Sequence, residues 1–511
     1  MSLYASFDVY FPIVVAEIEQ NSQALLRWSL LIAFFGALVI WPFKMEAGMP
    51  KLPIAMKEEF PSRKKRIDIF IKDTRRLLID SCNKFQDQVF GITTTEGTNI
   101  IIPLDLLHGL GSQKSLSFSA FLEEEFSMKT YTKVGNLDEK QISLINKKLN
   151  PTLPQYIPVI QQLIREHWPL QKLETSTDIK PWPLVMRLVS RISTRVFLSA
   201  DSAKNDRWLD IASEHVHSVV VWTENLKRWP SILRPLVYRF VKGRGYMMQR
   251  FEEGKALVAQ TLEIKKAKGG EPLSSPPTLL DYLYDSGLGP DDVEAHTITQ
   301  INLCVAAIQS MASTVTQCLM DLATHPEYAA ELLEEFDIMV EKNNGVADKQ
   351  VLTNLWKLDS FIKETQRLNP PDLTSFQRKA LSSLTLSNGL RIPKGARIVL
   401  PTGAINMDRR LFQDPEQFDG FRSYRIRMAD AEARNTNQMV TVGKKDLTWG
   451  YGRHACPGRY IAEVVLKLLV IEFLTCYDIR LPDDIKERPK NIEFEGLVNP
   501  DPDWRLSMKR R

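Results

Sequence analysis

Apolar positions change their spacing several times along the chain, and each change predicts a different kind of segment. The run WSLLIAFFGALVIWPF, Trp28 to Phe43, carries no charge between Arg27 and Lys44. With Leu25 and Leu26 it approaches the roughly 20 apolar residues that cross a bilayer, and Trp28 and Trp41 are placed to mark its interfaces. Lys44, Lys51, Lys57 and the cluster Arg63-Lys64-Lys65-Arg66 follow it, so the positive-inside bias predicts that everything downstream lies in the cytosol. Asp8, Glu17 and Glu19 precede it, an acidic flank that argues against a cleaved signal peptide. The expected division is a lumenal segment 1–24, a transmembrane anchor 25–43, a basic linker 44–66 stiffened by Pro50, Pro53 and Pro61, and one large domain 67–511.

Past the linker, QVFGITTTEGTNIIIP predicts two short strands around a Glu96-Gly97 turn. Helical spacing dominates from Leu149 to Ile264, interrupted at Pro230 and Pro235, and GGEPLSSPP (Gly269 to Pro277) is a loop. His296 to Ala323 contains neither proline nor glycine, which predicts a rod of roughly 40 Å at 1.5 Å per residue running through the core. A helix over Leu352 to Leu368 should stop at Asn369-Pro370-Pro371, and Asn388-Gly389 should turn a hairpin in LTLSNGLRIPKGARIVLP. Asp408 to Leu447 is polar and turn-rich; an apolar helix, Arg459 to Leu474, and a strand in YDIRL then close the chain.

Charge and cysteine content narrow the classes of function. Charged residues form 25% of the 511 and the net charge is only +4, which predicts no nucleic-acid partner. The five cysteines, Cys82, Cys304, Cys318, Cys456 and Cys476, are odd in number and lack CxxC spacing, as expected in a reducing compartment without a structural zinc site. Cys304 and Cys318 lie on the apolar rod as core residues. His215 and His217 are two apart on a helix and so point in different directions, a poor ligand pair.

The candidate chemistry concentrates in WGYGRHACPGRYIA, Trp449 to Ala462. A cysteine at a helix start faces unpaired N–H groups and the positive end of the helix dipole, which favour its thiolate. Pro457 suits the first helical position, leaving Gly458 and Arg459 to offer N–H groups to the Cys456 sulfur. Gly450, Gly452 and Gly458 leave room for a flat ligand, while His454 and Arg453 add donors or positive charge. The set suits an axial thiolate on heme iron with groups for the heme propionates. The same glycines fit a dinucleotide-binding pattern, Gly450-x-Gly452-x-x-Ala455, but KKDLT before them is a poor buried strand and too little chain follows for a nucleotide-binding unit.

This stretch resembles the cysteine-ligand loop of the cytochromes P-450, F-x-x-G-x-[RH]-x-C-x-G, departing from it only where Trp449 replaces phenylalanine. The indole N–H is expected to alter hydrogen bonding to the thiolate. Glu364 and Arg367 in FIKETQRLNP match the family's E-x-x-R, and Arg422 in DPEQFDGFR matches the second arginine of a Glu-Arg-Arg cluster. Arg378 resembles the basic strand residue that reaches a heme propionate. The oxygen-activation segment, [AG]-G-x-[DE]-T in the family, aligns with Ala306-Ala307-Ile308-Gln309-Ser310, so that Ser310 supplies the hydroxyl and an amide, Gln309, stands where the family has an acid. An amide orients water but releases no proton at neutral pH.

The resemblance implies a mainly α fold with small β-sheets, with heme b held between the long central helix and the Cys456 loop and iron ligated by that cysteine. It implies a membrane-anchored monooxygenase of the endoplasmic reticulum, its catalytic domain cytosolic. NADPH would act indirectly through NADPH–cytochrome P-450 reductase, with cytochrome b5 as a further partner and Arg453 and Arg459 at the docking face. HACPGRYIA, DLATHPEY and DPEQFDGFR are most similar to fungal microsomal enzymes of secondary metabolism, which implies a small apolar substrate of the terpenoid, indole-diterpene or meroterpenoid kind drawn from membrane lipid. Gln309 keeps an isomerase or dehydratase and a ring-forming oxidase in view, and a heme sensor without catalysis would share the same ligand loop.

Overall fold

A computed structural model of the protein describes Arg27, Ser29 and residues 50–126, 131–133, 135, 137–168, 174–289 and 291–511. The anchor expected over 25–43 therefore lies outside the described residues apart from Arg27 and Ser29. Among the described residues helices dominate, with four small sheets, so the fold is mainly α as expected.

The rod predicted at His296 to Ala323 is longer than its pattern, spanning Val293–Thr324. Asp292 starts it by accepting the Ala295 N–H, 3.1 Å, a cap that the apolar period does not register. By length and hydropathy this helix could cross a bilayer, yet it is mostly buried within the protein. It is the axis of the larger core, packed by the helices Pro181–Phe197, Asp206–Lys227, Arg244–Ala267, Trp356–Leu368 and Arg459–Cys476. Burial is continuous over Met311 to Ala323 but breaks at Val305–Ala307 and again at Gln309 and Ser310, where the helix surface is accessible.

The predicted first hairpin forms as Phe90–Thr94 and Gly97–Ile101. It is one edge of a five-stranded sheet whose next strands, Arg397–Leu400 and Ser375–Ala380, arrive from much later in the chain, with Leu116–Ser117 at the far edge. Only Gly97–Ile101 with Arg397–Leu400 is a parallel pair in that sheet.

Three expectations need correction. The helix predicted over Leu352 to Leu368 is two, Lys349–Asn354 and Trp356–Leu368, because Leu355 leaves the helical region (ψ 74°) and is fully buried. YDIRL is a strand, Tyr477–Arg480, but not the last: a hairpin at Ile492–Phe494 and Leu497–Asn499 and the strand Leu506–Arg510 follow it. The linker ends earlier than residue 66. Ala55 donates its N–H to the Gly91 carbonyl, Ala55 and Met56 join a hydrophobic cluster, and a helix begins at Arg63.

Candidate active site

Two glycines of the Cys456 loop are required by its backbone. Gly450 (φ +78°) and Gly452 (φ +66°) occupy the left-handed region that a side chain rarely adopts. A Cβ at Gly452 would also lie 2.7 Å from the Cα and carbonyl oxygen of Gly111, so two backbones touch there. At Gly458 an added Cβ would meet the sulfur, 3.9 Å from Cys456 Sγ. Turn geometry at both positions, and the Gly111 contact at Gly452, are each enough to call for glycine.

The helix after the loop starts at Arg459 with Gly458 at its cap, so Pro457 precedes the helix rather than filling its first position. The backbone N–H groups of Gly458 and Arg459 both favour the charged form of the Cys456 sulfur. Burial nevertheless pushes the thiol up, and those two N–H groups and the Arg459 guanidinium act against that rise.

Trp449 does not address the sulfur through its indole N–H, contrary to expectation. Nε1–H donates to the Met439 carbonyl at 2.5 Å, while the Trp449 carbonyl accepts the Cys456 N–H at 2.8 Å. Arg453 and Arg459, expected at a docking face, spend donors on the loop and its neighbour. Arg453 Nη2 reaches the carbonyls of Gln113 and Leu116, at 3.3 and 3.2 Å, and Arg459 Nη1 the Cys456 carbonyl, at 2.8 Å.

Arg378 is 4% exposed, and among the described residues no carboxylate pairs with it. Its guanidinium donates to the carbonyls of Gln377 (2.8 Å) and Tyr451 (3.4 Å) and lies 4.4 Å from the Phe376 ring centroid. With His454 and Gly450 it lines a cavity of about 170 Å3. Burial, then the charges of Arg378 and Arg453, push His454 down to about 4, and its Nε2 is buried without a hydrogen-bond partner. Asp372 also lines this cavity, but its carboxylate is taken up by Thr374 and Gln377.

Glu364 and Arg367 form no surface pair. Arg367 holds Glu364 bidentately at 2.9 and 2.7 Å, with the side chains 3% and 6% exposed. Arg422 Nε adds contacts of 3.2 and 3.3 Å to the same carboxylate. Arg367 Nη1 reaches past it to the carbonyls of Asn406 and Pro415, both at 2.7 Å, so one helix grips the polar segment that leads to the Cys456 loop.

On the central helix, Ser310 Oγ donates back to the Ala306 and Ala307 carbonyls at 2.9 and 3.3 Å. Gln309 leaves that face: Nε2 donates to Asn499 Oδ1 at 3.2 Å, beside a cavity of about 310 Å3 that includes His217. His215 is buried and His217 exposed, as their spacing predicts.

A second charged cluster escaped sequence reasoning. Asp359, Arg427, Glu463 and Lys467 are buried together behind the Cys456 loop, with Lys467 at 2.8 Å from Asp359 and 2.9 Å from Glu463. Glu463 and Lys467, four apart within the apolar stretch of the helix RYIAEVVLKLLVIEFL, were the available signal.

The cytochrome P-450 family pattern matches residues 79–508. The chain belongs to that family and is a cytochrome P-450 monooxygenase. It is 31% identical to a cytochrome P-450 monooxygenase, olcJ, of Penicillium canescens over 85% of this chain and 83% of that one. It is 29% identical to an ent-kaurene oxidase of Fusarium fujikuroi over 86% and 84%. Among solved structures, a retinoic acid-bound cyanobacterial CYP120A1 superposes with a TM-score of 0.68 at 16% identity, covering 91% of this chain and all of the other. That likeness is one of fold.

Membership implies a heme with a thiolate ligand, a redox partner and a substrate. The residues present fit the group. A sulfur faced by two N–H donors suits iron, and a buried guanidinium lacking a carboxylate, beside an imidazole nitrogen lacking a partner, suits an acidic edge.

Proposed function

We propose that the protein is anchored in the endoplasmic reticulum membrane by residues 25–43 and oxidises a small apolar terpenoid of secondary metabolism. Electrons come from NADPH through a separate reductase, with cytochrome b5 as a further donor. The observation that carries the site assignment is that one loop brings Cys456 together with Arg378, which reaches the Tyr451 carbonyl at 3.4 Å and, among the described residues, pairs with no carboxylate. The identity with an ent-kaurene oxidase over most of both chains supports an apolar terpenoid substrate.

Heme b, when bound, supplies dioxygen activation and insertion of oxygen into a C–H bond. Cys456 would hold its iron, and Arg378 and His454 would take its propionates. Glu364, Arg367 and Arg422 keep the segment before the loop in place. Ala306 and Ala307 present only methyl groups, leaving the helix surface open to an apolar molecule. Ser310 Oγ, turned from the Ala306 carbonyl, passes a proton between water and the reacting oxygen. Gln309 releases no proton, and its amide is committed to Asn499, so Ser310 and water carry this task.

Ser310→Ala should slow product formation about a hundredfold, the usual scale of a lost proton-transfer group, while NADPH consumption continues. Unchanged product formation would remove Ser310 from proton delivery. Product formed from a terpenoid without NADPH would replace oxidation by isomerisation or dehydration. Removal of residues 1–49 should shift the protein from the membrane pellet to the supernatant.

A further inference from the structure

We propose that Trp449 is a positioning residue that closes a ring of hydrogen bonds around the cysteine loop, a role that rests on Cys456 being the heme ligand. The ring starts at the Cys456 N–H, which donates to the Trp449 carbonyl at 2.8 Å. The indole Nε1–H of Trp449 donates to the Met439 carbonyl at 2.5 Å, and the Met439 N–H donates to Asp359 Oδ2 at 2.8 Å. Lys467 Nζ lies 2.8 Å from Asp359 Oδ1. Lys467 sits on Arg459–Cys476, the helix that continues from the loop itself. At the helix start, Arg459 Nη1 returns to the Cys456 carbonyl at 2.8 Å.

One carboxylate, Asp359, therefore fixes both ends of the loop. It holds the Trp449 end through Met439 and the helix end through Lys467. The members behind the loop are buried: Asp359, Met439, Arg427 and Lys467 are each no more than 2% exposed. Arg427 Nη1 (3.2 Å) steadies Asp359, while Glu463 (2.9 Å) and the Leu352 carbonyl (3.0 Å) steady Lys467. Of these links, only the indole N–H joins the loop's first residue to the cluster by a side chain. The intervening segment 440–448 has one further ion pair to the Trp356–Leu368 helix, Lys363 with Asp446 at 2.6 Å.

A phenylalanine at position 449 would fill most of the same space but could not donate to Met439. It would leave that buried carbonyl without its partner and open the ring at one link. The sulfur would keep its Gly458 and Arg459 N–H donors, so ligation itself should survive; what loosens is the backbone that aims it.

The test compares heme-loaded wild type with Trp449→Phe. Backbone amide exchange at Cys456 should quicken about tenfold in the variant, as expected for one lost hydrogen bond, with no change over residues 311–323. The fresh variant should show the red-shifted ferrous–CO band, then lose it about tenfold faster than wild type in mild urea as the thiolate is displaced. In a double variant with Asp359→Asn, the added change should be smaller than the product of the single effects, because a ring once opened has little left to lose. Wild-type exchange at Cys456 in Trp449→Phe, or fully multiplicative effects, would overturn the ring. If Asp359→Asn does not fold, the Trp449→Phe comparison decides alone. A wild type without the red-shifted band would instead overturn Cys456 as heme ligand, so the two failures are distinguishable.

Discussion

Buried titratable groups outside the candidate site set how the protein responds to acid. His215 is 1% exposed, and burial pushes its imidazole down from the ordinary 6.5 to about 4. The folded protein keeps the ring neutral in a range where the unfolded chain protonates it. This contribution to stability is therefore full above about pH 6.5 and is lost as pH falls toward 4. His215→Phe, against its neighbour Phe251, should remove on the order of 2–3 kcal/mol of acid destabilisation between pH 7 and 4, read from urea midpoints at the two pH values. At this scale the sequence was a good guide to residue type and a poor guide to partners. That Cys456 would meet the N–H groups of Gly458 and Arg459 followed from its place before a helix. That the Trp449 indole would turn to Met439 did not, because its acceptor is a backbone carbonyl that any residue could offer.

At the scale of elements, the Trp356–Leu368 helix organises the site by what it buries. Glu364 takes Arg367 and Arg422, Asp359 takes Lys467 and Arg427, and Lys363 takes Asp446, so two successive turns grip the segments on either side of the cysteine loop. Glu364→Gln would leave two guanidiniums without their carboxylate and should cost about 3–5 kcal/mol, seen as a lower urea midpoint. A loss under 1 kcal/mol would mean that the cluster behaves as an exposed pair. The E-x-x-R spacing was legible because both partners lie on one helix. The Asp359 cluster was not, since its members come from three elements and look, singly, like solvated charges. The break at Leu355 was equally hidden: the apolar period runs through it, and its cause is the burial of Leu355 against other elements.

Over the whole molecule, a helical core around Val293–Thr324 and a smaller cluster on the five-stranded sheet meet near the cysteine loop. Trp449 packs on the first and Tyr451 on the second. A group bound between Cys456, Arg378 and His454 would join both, and mass action favours the folded state that binds it. Heme-free protein should accordingly melt at a lower temperature than the loaded form, by calorimetry on matched samples. The helical half of this architecture was legible from long unbroken periods. Beyond its first hairpin the sheet was not, because its parallel pair joins strands separated by most of the chain, and the folded start at Ala55 was hidden by prolines that suit a connector equally well. The central claim is that Cys456 is the thiolate ligand of a heme. The visible spectrum of the reduced, CO-bound protein tests it most directly. A strongly red-shifted Soret band in wild type that disappears in heme-loaded Cys456→Ser is the predicted result, and a well-folded, heme-loaded wild type without that band would contradict the account.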